Sequence, residues 1–172
     1  MSADEVVDAV TAWFQPPAVE GLNLVLDAAP WFVDGANFQL DSELGWGAVG
    51  FVWVDSQEEQ RIALGGAHGG LKWVKFQVSL AVIFQMVIPR DADLQAIATG
   101  YRRPLNAVLD GVVDRLRQDR TLGGAPGVFQ AGEGDGTGSD DIMIVRELPK
   151  RDVGKVWSMN NIEFTVTQVV AS

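Results

Sequence analysis

The sequence predicts one α+β domain over residues 1–172. A short N-terminal helix comes first, followed by an antiparallel β-sheet with a long helix packed on one face. Three observations predict this class. A length of 172 residues is typical of a single domain. Every even position from Val74 to Ile88 is apolar, the period of a long strand with one buried face. Residues 91–118 carry apolar side chains at helical spacing instead.

The first predicted element is the short helix. Ser2 is placed to cap it, and Glu5 follows three residues later, which is the spacing of a capping box. Pro16-Pro17 is expected to end it. Residues 18–46 have a less regular apolar pattern, and within them Leu22–Leu26 is a candidate strand. The apolar stripe of the helix consists of Val6, Val7, Val10, Trp13 and Phe14.

Strands are expected from residue 47 onward. The first covers 47–54, the polar segment 55–60 is predicted to be a turn, and 61–64 to return as the hairpin partner. The long strand of 71–88 comes next. Its extended length of roughly 50–60 Å exceeds what a compact domain of this size needs, so part of it is expected to project.

One helix is predicted over 91–118, with a kink at Pro104 because proline removes a backbone hydrogen bond. Two helices broken at Pro104 are the alternative. Residues from about 123 to 141 are rich in Gly and are expected to form a flexible loop. Strands at 142–148 and 156–170 complete the chain, with 149–154 as their connection.

Composition excludes several classes of function. The net charge of −10 argues against unaided binding to nucleic-acid phosphates or to anionic lipid. Without Cys and with one His, the chain has no disulfide, no thiolate metal site and no metal site that needs two His. The first residues are acidic and the apolar run at 74–88 is interrupted by polar side chains, so we expect neither a secretory signal nor a membrane helix. The expected location is the cytoplasm or an assembly built there.

Motifs that would support catalysis or metal binding are weak. His68 lies between two Gly pairs, without a nucleophile or an orienting acid in a recognisable frame. The segment 136–142 matches one copy of a calcium-binding nonapeptide, whereas calcium rolls need several stacked copies. Glu147 and Glu163, both on predicted strands, would be the acid pair of a glycosidase, although acids on the solvent face of a sheet are ordinary. We therefore predict no catalytic residue, no cofactor and no metal ligand.

Tryptophan points to a surface instead, because it is enriched at protein interfaces. Trp73 lies on the opposite face from the apolar row of its strand, together with Ala81 and Ile83. A sheet that is apolar on both faces is either covered twice or buried in an assembly. Four basic side chains are also candidates, because on an acidic chain they can pair with acidic neighbours across a subunit boundary; simple solvation is the alternative for them. Burial in the core is the alternative for the apolar candidates. The candidate interface residues are Trp31, Phe32, Lys72, Trp73, Lys75, Ala81, Ile83, Arg102, Arg103 and Phe129.

Several segments occur in an order that also characterises one known family. They are the helix at 4–14, Gly50-Phe51-Val52-Trp53-Val54, the loop at 65–72, the long strand to Ile88, the long helix, Arg120-Thr121-Leu122-Gly123-Gly124, and a last strand with Val156-Trp157 and Asn161-Ile162-Glu163-Phe164. This order, which covers most of the chain, resembles the tail terminator proteins of long-tailed, siphovirus-like bacteriophages. The Gly-rich loop after Gly124 and the kink at Pro104 lie outside the part that aligns.

The resemblance implies a structural protein with no active site. It implies a homo-oligomeric ring, usually a hexamer, which caps the tail tube protein at its set length and presents a face to the head–tail connector or stopper protein. DNA would pass through the lumen without sequence-specific contact, and an acidic wall suits that passage because it does not bind phosphates. The implied location is the virion tail or neck, assembled in the host cytoplasm and without a membrane.

Other classes stay open as alternatives. A neck stopper or head-completion protein differs from a terminator in where it sits. A carbohydrate- or calcium-binding module would show saturable sugar binding that is lost on Trp73→Ala. An enzyme would show a substrate-dependent rate that is abolished by changing Glu147 or Glu163.

Overall fold

The computed structural model describes residues 2–29, 45–63, 70–128, 130–132 and 142–171. Within these residues the chain folds as a mixed sheet with two helices, an α+β arrangement. The elements in chain order are α1 (Ala3–Phe14), β1 (Leu22–Leu26), β2 (Trp46–Ala63), β3 (Leu71–Val87), α2 (Leu94–Gln118), β4 (Gln130–Ala131), β5 (Ile142–Arg146), β6 (Lys150–Asp152) and β7 (Lys155–Ala171).

Helix α1 begins at the predicted capping box. The Ser2 side chain accepts a hydrogen bond from the Glu5 backbone N–H (3.2 Å), and the Glu5 carboxylate accepts one from the Ser2 N–H (2.6 Å). Val6, Val10 and Phe14 are fully buried, so the predicted apolar stripe is the face that packs on the core. The helix therefore forms because its first N–H groups are satisfied and one of its sides is apolar.

The sheet is built on three long strands. β3 pairs antiparallel with β2 along one edge and with β7 along the other, and both pairings extend over almost the whole of β3. The predicted strand of 71–88 is confirmed as β3, and the prediction for 156–170 is confirmed as the main part of β7.

Two predictions about the strands before β3 are wrong. The sheet is mixed rather than antiparallel, because β1 pairs parallel with β2. The predicted turn at 55–60 and returning strand at 61–64 do not form, since β2 continues through this segment and its hairpin partner is β3. A β-bulge between Val54 and Ser56 shifts the register there. Polar side chains are tolerated in this part of β2 because residues 55–60 are exposed to solvent.

Three short strands lie end to end along the free edge of β7. β4 pairs with 166–167, β5 with 160–164 and β6 with 155–157, all antiparallel. Together they form one interrupted edge strand. The predicted connection at 149–154 thus contains a strand, β6, and closes with a tight turn at Gly154, which has a φ of +74°. Of the predicted flexible loop, 123–128 forms turns, and 133–141 lies outside the described residues.

The core has two parts, one on each face of the sheet. The larger joins the even-numbered side chains of β3, such as Phe76 and Phe84, to buried side chains of α1 and α2. The smaller consists of Val49, Phe51, Ala81 and Ile83, with Leu26, Ala28, Trp53 and Met159 packed against it. The sheet is therefore buried on both faces around the middle of β3.

Helix α2 is continuous through Pro104, so the prediction of one helix is confirmed and the alternative of two is not. It begins three residues later than predicted, at Leu94, after Asp93, whose carboxylate accepts a hydrogen bond from the Ala96 N–H (2.7 Å). Neither helix in the described part of the chain is long and apolar enough to cross a bilayer.

Replacing Pro104 is expected to stabilise the protein. Proline in a helix interior removes one N–H donor and crowds the preceding turn, so Pro104→Ala should raise the free energy of unfolding by about 1–3 kcal/mol. The converse variant, Ala107→Pro, changes an exposed position of the same helix and should lower it by about 3 kcal/mol. Urea denaturation measures both, and a Pro104→Ala variant less stable than the parent would contradict the argument.

Candidate assembly surface

The basic and aromatic candidates at the start of β3 lie on opposite faces of the strand, Lys72 on one and Trp73 with Lys75 on the other. Lys72 Nζ lies 2.8 Å from Glu59 Oε2 on β2, and Lys75 Nζ lies 5.6 Å from the centroid of the Trp73 ring. Trp73 is half-buried and lies between Gln60 and Val169 of the neighbouring strands. The structure therefore brings Trp73 and Lys75 together, and Lys75 already covers part of the Trp73 ring. Lys72 is separate from them and pairs with Glu59.

Ala81 and Ile83 are not surface residues. Their exposed fractions are 0% and 4%, because they belong to the smaller core on the second face of the sheet. Their selection as interface residues is therefore corrected. Sequence parity placed them on the second face but did not show that this face is covered within one chain. On the same face, Met143 and Val145 of the edge strand β5 are exposed at 52% and 42%.

Of the remaining candidates, two lie on α2 and three lie outside the described residues. Arg102 and Arg103 are both exposed on α2, far in sequence from the candidates on β3. Trp31, Phe32 and Phe129 lie outside the described residues, as do His68 and most of the nonapeptide-like segment.

A groove between α1 and the turns that follow α2 was missed by the sequence prediction. It has a volume of about 690 Å³, and its apolar wall comes from Ala9, Ala12, Trp13, Leu122, Ala125 and Pro126. Trp13 donates a hydrogen bond from Nε1 to the Arg115 carbonyl oxygen (3.3 Å), and the Arg115 guanidinium stacks 3.6 Å from the Trp13 ring centroid. These contacts fix α1 against the C-terminal end of α2.

The far wall of the groove depends on Asp119. Its carboxylate accepts hydrogen bonds from the Thr121 hydroxyl (2.6 Å), the Thr121 N–H (2.8 Å) and the Gly123 N–H (3.2 Å). These bonds, the Thr121 hydroxyl first, hold the pKa of Asp119 below its usual value. The turn delivers Leu122 to the core and sets Gly123 against the Trp13 ring.

The rim of the groove is acidic. Glu5 and Asp8 on α1 line it, and no cationic side chain is among its described lining residues. The hydrogen bond from the Ser2 backbone lowers the pKa of Glu5, so this carboxylate stays ionised at neutral pH. The groove can therefore accept an apolar side chain that carries a positive charge beside it.

A buried polar chain connects α2 to β7. The Tyr101 hydroxyl donates to Ser158 Oγ, to which Asn160 Nδ2 also donates (2.8 Å). Burial raises the pKa of Tyr101, which keeps the hydroxyl protonated as a donor. This chain positions α2 and is not accessible to a ligand.

The two acids considered for a glycosidase have different surroundings. Glu147 is exposed and lies 3.8 Å from Lys150, whereas Glu163 on β7 pairs in register with Ser79 and Met143. The described residues contain no group of three or more His, Cys, Asp or Glu that could hold a metal ion.

No family model matches the chain, and no curated protein matches it significantly. The assignment of function therefore depends on the residues and on the geometry above.

Adding a methyl group at Gly123 should destabilise the groove wall. Gly123 has a φ of +76°, and a Cβ there would lie 2.9 Å from a Trp13 ring carbon. Gly124 has a φ of +75° but open space at the same point. Gly124→Ala is therefore expected to cost about 1 kcal/mol of unfolding free energy from backbone strain, and Gly123→Ala about 1–2 kcal/mol more. Equal losses in urea denaturation would contradict the close approach of Trp13.

The Asp119 turn should contribute stability in a pH-dependent way. Its pKa is lowered in the folded state, so its contribution is full above its unfolded pKa of about 4 and is lost as the pH falls through the folded value. Asp119→Asn is expected to lower the Tm at pH 7 by about 2–4 °C, and the difference should shrink in acid. A thermal melt series measures this, and Asp114→Asn, at an exposed site on α2, is the control.

Proposed function

We propose that this protein is a structural, non-catalytic tail terminator of a long-tailed bacteriophage. In this role copies of the chain form a ring, with a hexamer as the expected size, on the end of the completed tail tube. The ring stops further addition of tube protein and presents a surface to the head–tail connector or stopper. Its location is the virion tail or neck.

The element order supports the proposal. The chain runs from a capped helix through a long hairpin (β2 and β3) and a long helix to a long closing strand, β7. This is the order on which the resemblance to terminators depends. In the finer form of the proposal, α2 lies along the face of the sheet that carries the even-numbered side chains of β3, with which Tyr101, Leu105 and Leu109 share a core.

Charge also supports it. The chain carries a net charge of −10, and a ring multiplies that charge around a central opening. An acidic wall does not retain DNA phosphates, so DNA can pass without sequence-specific contact. No cofactor takes part in such a role.

The nearest rival is a neck stopper or head-completion protein, which would use the same kind of ring at the next position. A carbohydrate-binding function is less well supported, because Lys75 and Lys150 lie 5.6 Å and 4.9 Å from the ring centroids of Trp73 and Trp157. Sugar platforms need an open ring face.

Electron microscopy of particles from a phage that lacks the gene tests the proposal. The expected result is abnormally long tails without heads, because tube growth is no longer stopped. Expression of the intact gene from a plasmid should restore normal lengths.

Two other outcomes would overturn the terminator role. Tails of normal length beside DNA-filled heads would show a joining role at the neck instead. Ordinary infectious virions would remove the protein from assembly altogether.

A further inference from the structure

We propose that the acidic groove binds the N-terminal overhang of α2 from a second copy of this chain. The overhang is defined by Leu94, Ala98 and Arg102. The contact is argued from the described residues, whereas its place in a tail ring rests on the proposed function.

The overhang is the exposed start of an otherwise buried stripe. Leu94, Ala98 and Arg102 follow each other at four-residue spacing and so share one side of α2. The same side continues into Leu105, Leu109 and Leu116, which are buried in the core. Leu94 by contrast is 77% exposed, and Ala98 is also exposed. The helix thus carries its apolar stripe beyond the part of the core that covers it.

The groove and the overhang are complementary in chemistry. The groove has a wall of small and aromatic apolar side chains and an acidic rim of Glu5 and Asp8. The overhang offers a leucine and an alanine, followed one turn later by the exposed guanidinium of Arg102. Burying Leu94 against the apolar wall would bring a cation to the acidic rim, and such pairing favours one orientation of the partner.

One copy cannot make this contact with itself. The groove lies at the C-terminal end of α2, because Trp13 in its wall stacks on Arg115 and donates a hydrogen bond to the Arg115 carbonyl oxygen. Leu94 begins the same helix, 21 residues earlier, which corresponds to about 31 Å along the axis. The two surfaces therefore meet only between molecules. Because they are different surfaces, the contact is head-to-tail and propagates into a ring if the rotation closes.

Cysteine crosslinking tests the contact directly, since the native chain has no Cys. Ala12 lines the groove and Ala98 is on the overhang, and both are exposed. Mixing the Ala12→Cys and Ala98→Cys proteins at high concentration under mild oxidation should give a disulfide-linked heterodimer. A chain that carries both changes should give a ladder of linked copies on a non-reducing gel.

Ala107→Cys is the matched control. Ala107 is an exposed alanine on the opposite side of α2 from Ala98. It should crosslink to Ala12→Cys far more slowly than Ala98→Cys does. Equal rates for the two, or no crosslink with Ala98→Cys, would overturn the proposed contact.

Charge reversal provides a second measurement that does not depend on cysteine. Asp8→Lys and Arg102→Glu should each weaken self-association in analytical ultracentrifugation by about tenfold. Mixing the two single variants should restore association, because in both contacts between unlike chains the groove meets an overhang of opposite charge. Arg103→Glu and Asp114→Lys make the same charge changes at exposed sites outside both surfaces and should have little effect. Controls that weaken association as much as the test variants would overturn the contact.

The outcomes also separate this contact from the proposed function. Long tails in the deletion phage together with failed crosslinking would leave the terminator role and remove this contact. Specific crosslinking together with normal virions would leave the contact and remove the terminator role.

Discussion

The pairing of β3 with β2 on one edge and β7 on the other is the constraint on which the rest of the structure depends. Backbone hydrogen bonding on both edges makes β3 the centre of the sheet, so its side chains point into two separate environments. Phe76, Leu80 and Phe84 enter the larger core with both helices, and Ala81 and Ile83 enter the smaller one. Because both edges of β3 are paired, the registers of β2 and β7 are each set against β3 and so relative to each other.

The outer strands show how this central pairing is completed. On the far side of β7, three short strands act as one interrupted edge. On the far side of β2, only the short parallel strand β1 is paired among the described residues. Short, interrupted edge strands limit uncontrolled pairing between sheets of different molecules. An assembly of this chain would therefore use side-chain surfaces more readily than sheet edges.

The helices provide two such surfaces. Trp13 is held between Arg115 and the Gly123 turn, so α1 and the end of α2 share one rigid wall. The beginning of α2 extends beyond the core and leaves Leu94 in solvent. Burying this leucine against a partner would remove its apolar area from water, which would favour association. In the proposed contact, the opposite charges of the two surfaces would orient a second copy of the chain.

The sequence alone determined the local features of the fold. The capping box of α1, the periodicity of β3 and the continuous stripe of α2 are set by neighbouring residues, and each appeared in the structure. Local periodicity does not specify which strand pairs with which, so the parallel β1 and the extension of β2 through 55–60 were not predicted. The polar residues there indicate a turn unless a partner strand is known.

Tertiary structure alone decided the candidate site. Ala81 and Ile83 became core because the second face of the sheet is covered, which parity cannot reveal. The wall of the groove depends on a contact between Trp13 and Arg115, which are 102 residues apart in sequence. No local sequence pattern predicts a contact at that separation. Local hydrogen bonding and side-chain period act within a few residues and can be predicted from sequence. Burial and long-range contact depend on the packing of the whole chain, so only the folded structure shows them.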